Sequence, residues 1–301
     1  MGIFANPLTD LLEYEDFSRD FLKGTDPVGM TGCIDSEKVH FMSTFLGEKK
    51  VQLVVTYNEQ RAREIEEDYK LFCSQVYVIP PRDLIFFSAD LQGNAIIAER
   101  MKAFAALYQN EAKVIITTMD ALMSAAVPFE QLMSHVIKLK EGDELDLEKL
   151  KHDLTVMGYE RVGRVEEPGQ FTVHGGIADV YPLTMEVPVR IELWGDEIDT
   201  IRCFEPQSQR SMDQIECVSV FPAAEVIADD TARRRAVGMI QNELESQLAV
   251  FKKAKEPDKA KRLREETNRI LEALGEDVVL EAPDSYINYF CLLYTSDAAD
   301  E

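Results

Sequence analysis

The chain has 301 residues, of which 46% are hydrophobic and 29% are charged. This length and composition fit a globular protein of about two domains and exclude a disordered chain, a collagen and a small disulfide-stapled protein. The 55 acidic and 32 basic residues give a net charge of −23, which argues against a broad phosphate-binding face and hence against nucleic acid as a direct partner.

The cysteines and histidines suggest neither a disulfide framework nor a metal site. Five cysteines are scattered without a CxxC pair, and four histidines lack the spacing of metal ligands, so we expect reduced thiols and a cytoplasmic location. No apolar run reaches the ~18 residues of a membrane helix, and the first residues do not read as a signal peptide. We therefore expect no membrane association and no export.

Residues 1–125 alternate between helical and strand patterns. This alternation predicts an α/β domain with a mostly parallel, buried sheet. Asp120 is predicted to cap a helix that begins at Ala121. The predicted elements in chain order are a helix through Phe41 and Phe45, a strand at 51–55, a helix at 59–72, a strand at 76–79, a helix at about 95–109 and a strand at 114–118.

Residues 126–211 change to strands with alternating apolar and polar positions. A helix is predicted at 147–157 and is expected to end at Gly158, a residue suited to the left-handed conformation that follows many helices. Apolar residues then alternate with polar ones on both sides of two turns, at 175–176 and 195–196. This pattern predicts a small α+β domain with an antiparallel sheet.

Residues 212–290 begin with a strand at 218–221, followed by a long helical pattern from Asp230 to Leu274 that Pro257 interrupts. A last strand at 278–280 is predicted to return to the first sheet. Residues 291–301 read CLLYTSDAADE, which resembles one reading frame of a transposon-type sequencing adapter. We interpret these residues as a probable adapter scar on a truncated gene.

Residues 29–36 partly match the phosphate-binding loop motif GxxxxGK[ST]. Gly32 precedes Ile34, which stands where the second glycine of the motif lets the backbone approach phosphate. Asp35 replaces the lysine and Ser36 keeps the hydroxyl. Opposite charges ~4 Å apart attract by about 4 kcal/mol at an effective dielectric near 20, so aspartate turns this attraction into repulsion. We predict a degenerate nucleotide loop that leads into a helix.

Two blocks of sequence are specific enough to indicate a family. Residues 158–182 read GYERVGRVEEPGQFTVHGGIADVYP, and residues 188–211 read PVRIELWGDEIDTIRCFEPQSQRS. Together they resemble the N-terminal region of the bacterial transcription-repair coupling factor (Mfd) family. The excision-repair protein UvrB shares this region but keeps a working phosphate loop, so the degenerate loop and the SQR sequence at 208–210 favour the coupling-factor family.

The resemblance implies a UvrB-like module: a parallel-sheet α/β domain interrupted by a small α+β domain with an antiparallel sheet. The α/β halves correspond to 1–125 and 212–290, the UvrA-interaction domain to 126–211 and the adapter-like tail to 291–301. The implied function is a UvrA-recruiting adaptor in transcription-coupled nucleotide excision repair. In the parent protein, missing downstream domains would bind RNA polymerase and move along double-stranded DNA with ATP and magnesium. This fragment is expected to need no cofactor and to catalyse nothing.

The resemblance also implies a binding surface. Arginines that contact UvrA in the family match Arg161, Thr172 and His174, of which only Arg161 is an arginine here. Thr172 keeps a hydrogen-bonding hydroxyl, and a histidine such as His174 is mostly neutral at pH 7. Arg164 and Arg190 are candidates to compensate, although Arg190 has the alternative of pairing with a cross-strand acid. Phe171 is predicted to be core because it shares the parity of Val173.

Two other functions remain open on the sequence alone. A UvrB-like excision-repair helicase fragment would still bind ATP at 29–36. A generic acidic scaffold without catalysis would bind no UvrA.

Overall fold

The computed structural model describes residues 8, 14–24, 27–47, 51–81, 91–124, 127–227, 230–275 and 289. The strand predicted at 278–280 and the adapter-like residues 291–301 lie outside the described residues. The chain divides into two compact units. The first unit comprises residues 1–83 and 102–124, and the second comprises residues 84–101 and 125–301.

The described helices and strands follow one another along the chain largely as predicted. The helices are α1 Tyr14–Lys23, α2 Asp35–Ser43, α3 Glu59–Lys70, α4 Leu91–Tyr108, α5 Met119–Met123, α6 Phe129–Met133, α7 Leu147–Val156, α8 Asp230–Ala254 and α9 Pro257–Gly275. The strands are β1 Gln52–Thr56, β2 Val76–Ile79, β3 Val114–Thr118, β4 Ile137–Lys140, β5 Glu160–Arg161, β6 Gln170–His174, β7 Ile177–Val180, β8 Val189–Trp194, β9 Glu197–Phe204, β10 Ser211–Gln214 and β11 Cys217–Val220.

The first unit contains the predicted parallel sheet. Strand β3 lies between β1 and β2 and runs parallel to both. Every residue of β3 is buried, as expected for the central strand of a parallel sheet. The buried Tyr69 of α3 donates its hydroxyl proton to Gln52 Oε1 over 3.0 Å, and burial raises the pKa of this phenol to about 12. The α/β class predicted from the alternation is thus confirmed.

The cap predicted at Asp120 is wrong. Helix α5 begins at Met119, and the N-cap is Thr118, whose Oγ1 accepts a hydrogen bond from the Ala121 N–H over 3.2 Å. Thr118 is the last residue of β3 and keeps the extended backbone that a capping residue needs. Asp120 therefore lies within the first turn, where its charge still favours the helix dipole.

The second unit contains a six-stranded sheet in the order β10, β9, β8, β7, β6, β5. Neighbouring strands from β6 to β10 are antiparallel, whereas β5 runs parallel to β6. One face of the sheet packs on α7, and Phe171 and Val173 lie in the resulting core as predicted. Other core residues on this face include Ala178, Val180, Val189, Ile191, Ile198 and Ile201.

A separate two-stranded sheet pairs a strand before the predicted boundary at residue 211 with a strand after it. Strand β11 pairs antiparallel with β4, with Val218 opposite Leu139. Both residues belong to the core beneath the six-stranded sheet. Residue 211 itself is the first residue of β10, which pairs with β9. Both the six-stranded and the two-stranded sheet therefore include residues on either side of this predicted boundary.

Gly158 ends α7 as predicted and fixes the approach of the chain to another segment. Its φ of +89° is in the left-handed region, where a Cβ is strained. A Cβ on Gly158 would lie 2.7 Å from the Cβ of Ala224. The adjacent Tyr159 donates its buried hydroxyl proton to the Phe221 carbonyl over 2.7 Å. The residues after α7 are thus held tightly against the segment after β11.

The long helical pattern of the third segment forms two helices, as the interruption at Pro257 predicts. Helix α8 ends at Ala254, and Lys255 adopts the left-handed conformation with a φ of +57°. Helix α9 begins at Pro257, a favoured first residue because its missing N–H is not needed there. The two helices contact each other along the chain reversal and form a hairpin.

Membrane-spanning helices, disulfides and metal-binding clusters are absent from the described ranges. None of the helices assigned there combines the length and apolarity that a bilayer crossing requires. The described cysteines, Cys33, Cys73, Cys203 and Cys217, are free thiols. The same ranges hold no group of three or more His, Cys, Asp or Glu side chains arranged to bind a metal ion.

Candidate protein-interaction site

Of the predicted binding residues, Thr172, His174 and Arg190 lie on the second face of the six-stranded sheet, the face opposite the α7 core. Arg161, on the edge strand β5, is in register with the core residue Phe171. Strand register places Thr172 opposite Asp179, Asp179 opposite Arg190, and Arg190 opposite Arg202. These four residues form a polar row across β6 to β9, because every second side chain of a strand projects from the same face. One face of the sheet thus carries a row of polar and charged side chains, and the other face packs in the core.

Arg190 is paired within this row. Its Nε and Nη2 donate to the two carboxylate oxygens of Asp179, each over 2.8 Å, and its guanidinium carbon lies 4.8 Å from the ring centroid of Phe204. The hydrogen bond to Asp179 raises the pKa of Arg190 despite the opposing effect of burial. Asp179 is thus the cross-strand acid that the sequence left open as an alternative partner of Arg190. A contact between Arg190 and UvrA stays a prediction.

Thr172 and His174 act as a pair. Thr172 is only 5% exposed, and its Oγ1 lies 2.9 Å from Nε2 of the exposed His174. The buried hydroxyl is thus positioned to orient the imidazole, while the imidazole itself faces solvent. Of these two residues, only His174 offers an accessible surface to a partner in this conformation.

Arg161 and Arg164 differ in how much of their hydrogen-bonding capacity is used. Arg161 lies on the edge strand β5, is exposed, and has no ion pair with any described residue. Arg164 donates to the backbone carbonyls of Gln207 and Pro206 and lies 3.3 Å from a carboxylate oxygen of Glu166. Arg164 therefore holds the turn before β10, whereas the Arg161 guanidinium is free to bind a carboxylate.

Trp194, the single tryptophan of the chain, is not among the binding residues predicted from the sequence. Trp194 ends β8 at the turn into β9 and is 84% exposed, the highest value among the large exposed hydrophobic residues described. The neighbouring Leu193 N–H donates to the Gly176 carbonyl over 2.8 Å, so this turn lies beside the turn between β6 and β7. A tryptophan followed by a Gly-Asp turn is a signal of exposure that the sequence does contain.

Four exposed side chains lie at the margins of the sheet. We call Arg161, His174, Ile177 and Trp194 the exposed rim; all four are exposed to solvent. His174, Ile177 and Trp194 lie at one end of their strands, whereas Arg161 lies on the edge strand β5 opposite Phe171. The imidazole and the two apolar groups suit a partner with an apolar pocket, and the separate guanidinium suits a carboxylate. Aromatic residues and arginine are the residue types that most often dominate binding energy at protein interfaces.

The degenerate nucleotide loop at 29–36 does not present a free helix N-terminus to a phosphate. Gly32 adopts a φ of +85°, Ile34 is exposed, and α2 begins at Asp35 as predicted. The Ile34 N–H donates to the Glu37 carboxylate over 3.0 Å, so an internal acid occupies part of the helix N-terminus that would face a phosphate.

The charges around this turn also oppose a nucleotide. Asp35 lies 3.2 Å from Lys38 Nζ and 3.6 Å from Arg61 Nη2. The nearby cations are therefore paired with protein carboxylates, and Arg61 also binds Glu64 over 2.7 Å. Gly29 and Ser36 are exposed at the same turn.

Comparison with known protein families first identifies the class of the small domain. Residues 137–225 match the family model described as the UvrB interaction domain. The match begins at the first residue of β4 and continues past β11, so it covers both sheets of the small domain. This part of the chain is therefore similar to UvrB interaction domains.

Whole-chain comparison then identifies the relatives. The chain is similar to transcription-repair-coupling factors from Staphylococcus haemolyticus (33% identity, 75% of this chain and 19% of the relative) and Staphylococcus aureus (30% identity, 96% and 25%). The protein of this name from Bacillus subtilis is 29% identical over 95% of this chain and 24% of its own length. The chain thus spans about a quarter or less of these relatives. The resemblance to this family inferred from the two sequence blocks is confirmed.

Proposed function

We propose that this chain is an adaptor that recruits UvrA in transcription-coupled nucleotide excision repair. The observation that supports the proposal most is the exposed rim on a domain that matches the UvrB interaction domain. The rim offers a guanidinium without an ion pair among the described residues and a tryptophan that packs against little of its own domain. The proposal places this activity in the bacterial cytoplasm.

The residues of the exposed rim also suggest which side chains contribute most to the free energy of UvrA binding. Arg161 can form two parallel hydrogen bonds to one carboxylate, and such charge-assisted pairs are stronger than neutral hydrogen bonds. His174 and the buried Thr172 replace two arginines expected from the family resemblance, so less charge is available beside Arg161. We therefore propose that apolar contact through Trp194 supplies a larger share of the affinity in this protein.

Charge reversal of Arg161 tests the site. We expect Arg161→Glu to weaken UvrA binding by about 2 to 4 kcal/mol, the range of interface hot spots, because repulsion replaces a charge-assisted pair. Isothermal titration calorimetry with purified UvrA measures this change. Arg262→Glu, an equal change of charge on an exposed residue of α9, is the matched control and should leave the dissociation constant unchanged. Equal affinities for the native chain and Arg161→Glu would exclude the assigned site.

We further propose that this chain itself hydrolyses no nucleotide. The turn at 29–36 presents Asp35 and Glu37 where a phosphate would need a cation, and its neighbouring cations bind protein carboxylates. Magnesium-ATP is therefore expected to leave the Tm of the chain unchanged in a thermal-shift measurement. A saturable rise in Tm that Asp35→Ala or Ser36→Ala abolishes would instead support the UvrB-like enzyme.

The remaining activities belong, in this proposal, to regions of the relatives that this chain does not cover. These activities are RNA polymerase binding and ATP- and magnesium-dependent movement on double-stranded DNA. A pull-down with UvrA separates the adaptor from the acidic scaffold, because the scaffold would retain no UvrA.

A further inference from the structure

The hairpin of α8 and α9 carries a groove at its closed end. The groove has a volume of about 590 Å³ and lies between the last turns of α8 and the first turns of α9. Leu248 and Phe251 from α8 and Ala260 from α9 form its apolar lining. The lining is only partly covered by the hairpin itself, because all three residues are half-buried.

The positive charge of the chain is concentrated around this groove. Residues 252–264 contain seven lysines and arginines but only two acids, in a chain where acids otherwise exceed bases. The acids elsewhere in the chain outweigh this cluster in the net charge, so the overall composition does not reveal it. Four cations line the groove, Lys252, Lys255, Lys261 and Arg264, and they outnumber the two lining acids, Glu256 and Glu265.

Most of the cations that line the groove form no ion pair with another described residue. Lys261 lies 3.8 Å from Glu265, but Lys252, Lys255 and Arg264 form no ion pair with any residue of the described ranges. Cations near the end of α8 favour its helix dipole, whereas cations in the first turns of α9 oppose the dipole of that helix. Arg264 is therefore explained neither by an ion pair with a described residue nor by the dipole of α9.

We propose that this groove binds an acidic peptide segment that carries apolar side chains. Leucine-sized or aromatic groups of the peptide would cover the Leu248, Phe251 and Ala260 lining, and its carboxylates would pair with Lys252, Lys255 and Arg264. A partly apolar concave surface with a cationic margin is complementary to such a segment in both shape and charge. This inference is independent of UvrA recruitment, since it uses none of the exposed rim.

A duplex nucleic acid fits the same observations less well. A phosphate backbone has no apolar group to fill the groove, and the net charge of −23 repels a long polyanion that must pass the rest of the chain. A short peptide segment meets only the closed end of the hairpin and avoids this repulsion.

The test uses a fluorescein-labelled synthetic peptide of about 16 residues, roughly four helical turns, with leucine on one face and glutamate elsewhere. We expect saturable fluorescence anisotropy with the full chain. The double variant Lys252→Glu with Arg264→Glu should weaken binding by about tenfold or more, equivalent to ~1.4 kcal/mol. Circular dichroism confirms that the variant keeps its helices.

A matched double variant keeps the total charge change the same. Lys253→Glu with Arg262→Glu alters two exposed cations of the same hairpin that do not line the groove, and it should bind as the native chain does. A peptide with serine in place of leucine should bind weakly. The proposal is overturned if the peptide does not bind, if both double variants lose equal affinity, or if a DNA duplex competes through the lining cations.

Discussion

Replacing Glu225 by leucine is expected to lower the free energy of unfolding of the second unit by about 3 to 5 kcal/mol, the cost of leaving one buried charge without its partner. Arg100 of α4 and Glu225, after β11, are only 3% and 6% exposed. The Arg100 Nη2 lies 3.1 Å from Glu225 Oε2, and its Nε donates to the other carboxylate oxygen. Urea denaturation followed by circular dichroism measures the loss.

A double replacement shows whether the loss arises from the unpaired charge. Arg100→Met together with Glu225→Leu removes both charges, and apolar replacements of a buried ion pair are often neutral or stabilising. We therefore expect the double variant to recover most of the stability that the single variant loses. If both variants are equally destabilised, packing rather than charge pairing explains the effect of Glu225.

Replacing Trp194 by alanine is expected to weaken UvrA binding by about 2 to 4 kcal/mol, as for an aromatic residue at the centre of an interface. The indole is 84% exposed, so its removal should leave the Tm nearly unchanged. A change in affinity without a change in stability would indicate a binding role, because a core residue affects both. Calorimetric titration with UvrA measures the affinity.

Tyr57→Ala is the matched control for Trp194. Tyr57 is another highly exposed aromatic residue, and it lies in the first unit directly after β1. We expect Tyr57→Ala to bind UvrA as the native chain does. Equal binding by Trp194→Ala would remove this tryptophan from the proposed interface.

The sequence predicts the secondary structure of this protein well because its patterns are local. Alternation along β8 and β9 identifies two strands, and Pro257 marks the break between two helices. The pairing of β11 with β4 is not local, since 76 residues separate the paired Cys217 and Lys140, and nothing in either strand names its partner. The sequence therefore does not predict this pairing.

The candidate site shows the same limit at the level of side chains. The sequence offers both Arg161 and Arg190 as binding residues, but strand register places Asp179 beside Arg190 and leaves Arg161 on the edge. Trp194 is exposed where β8 ends at the turn into β9. Residue type therefore indicates which side chains can bind a partner. The strand register determines which of them are already paired within the sheet.

Hydrogen exchange of the chain with and without UvrA tests the location of the proposed interface most directly. We predict slower exchange at the backbone amides of 172–177 and 193–197, which form the two neighbouring turns of the exposed rim, and unchanged exchange in β1 and β3. Protection confined to the first unit or to the helical hairpin, with both turns unchanged, would contradict the account.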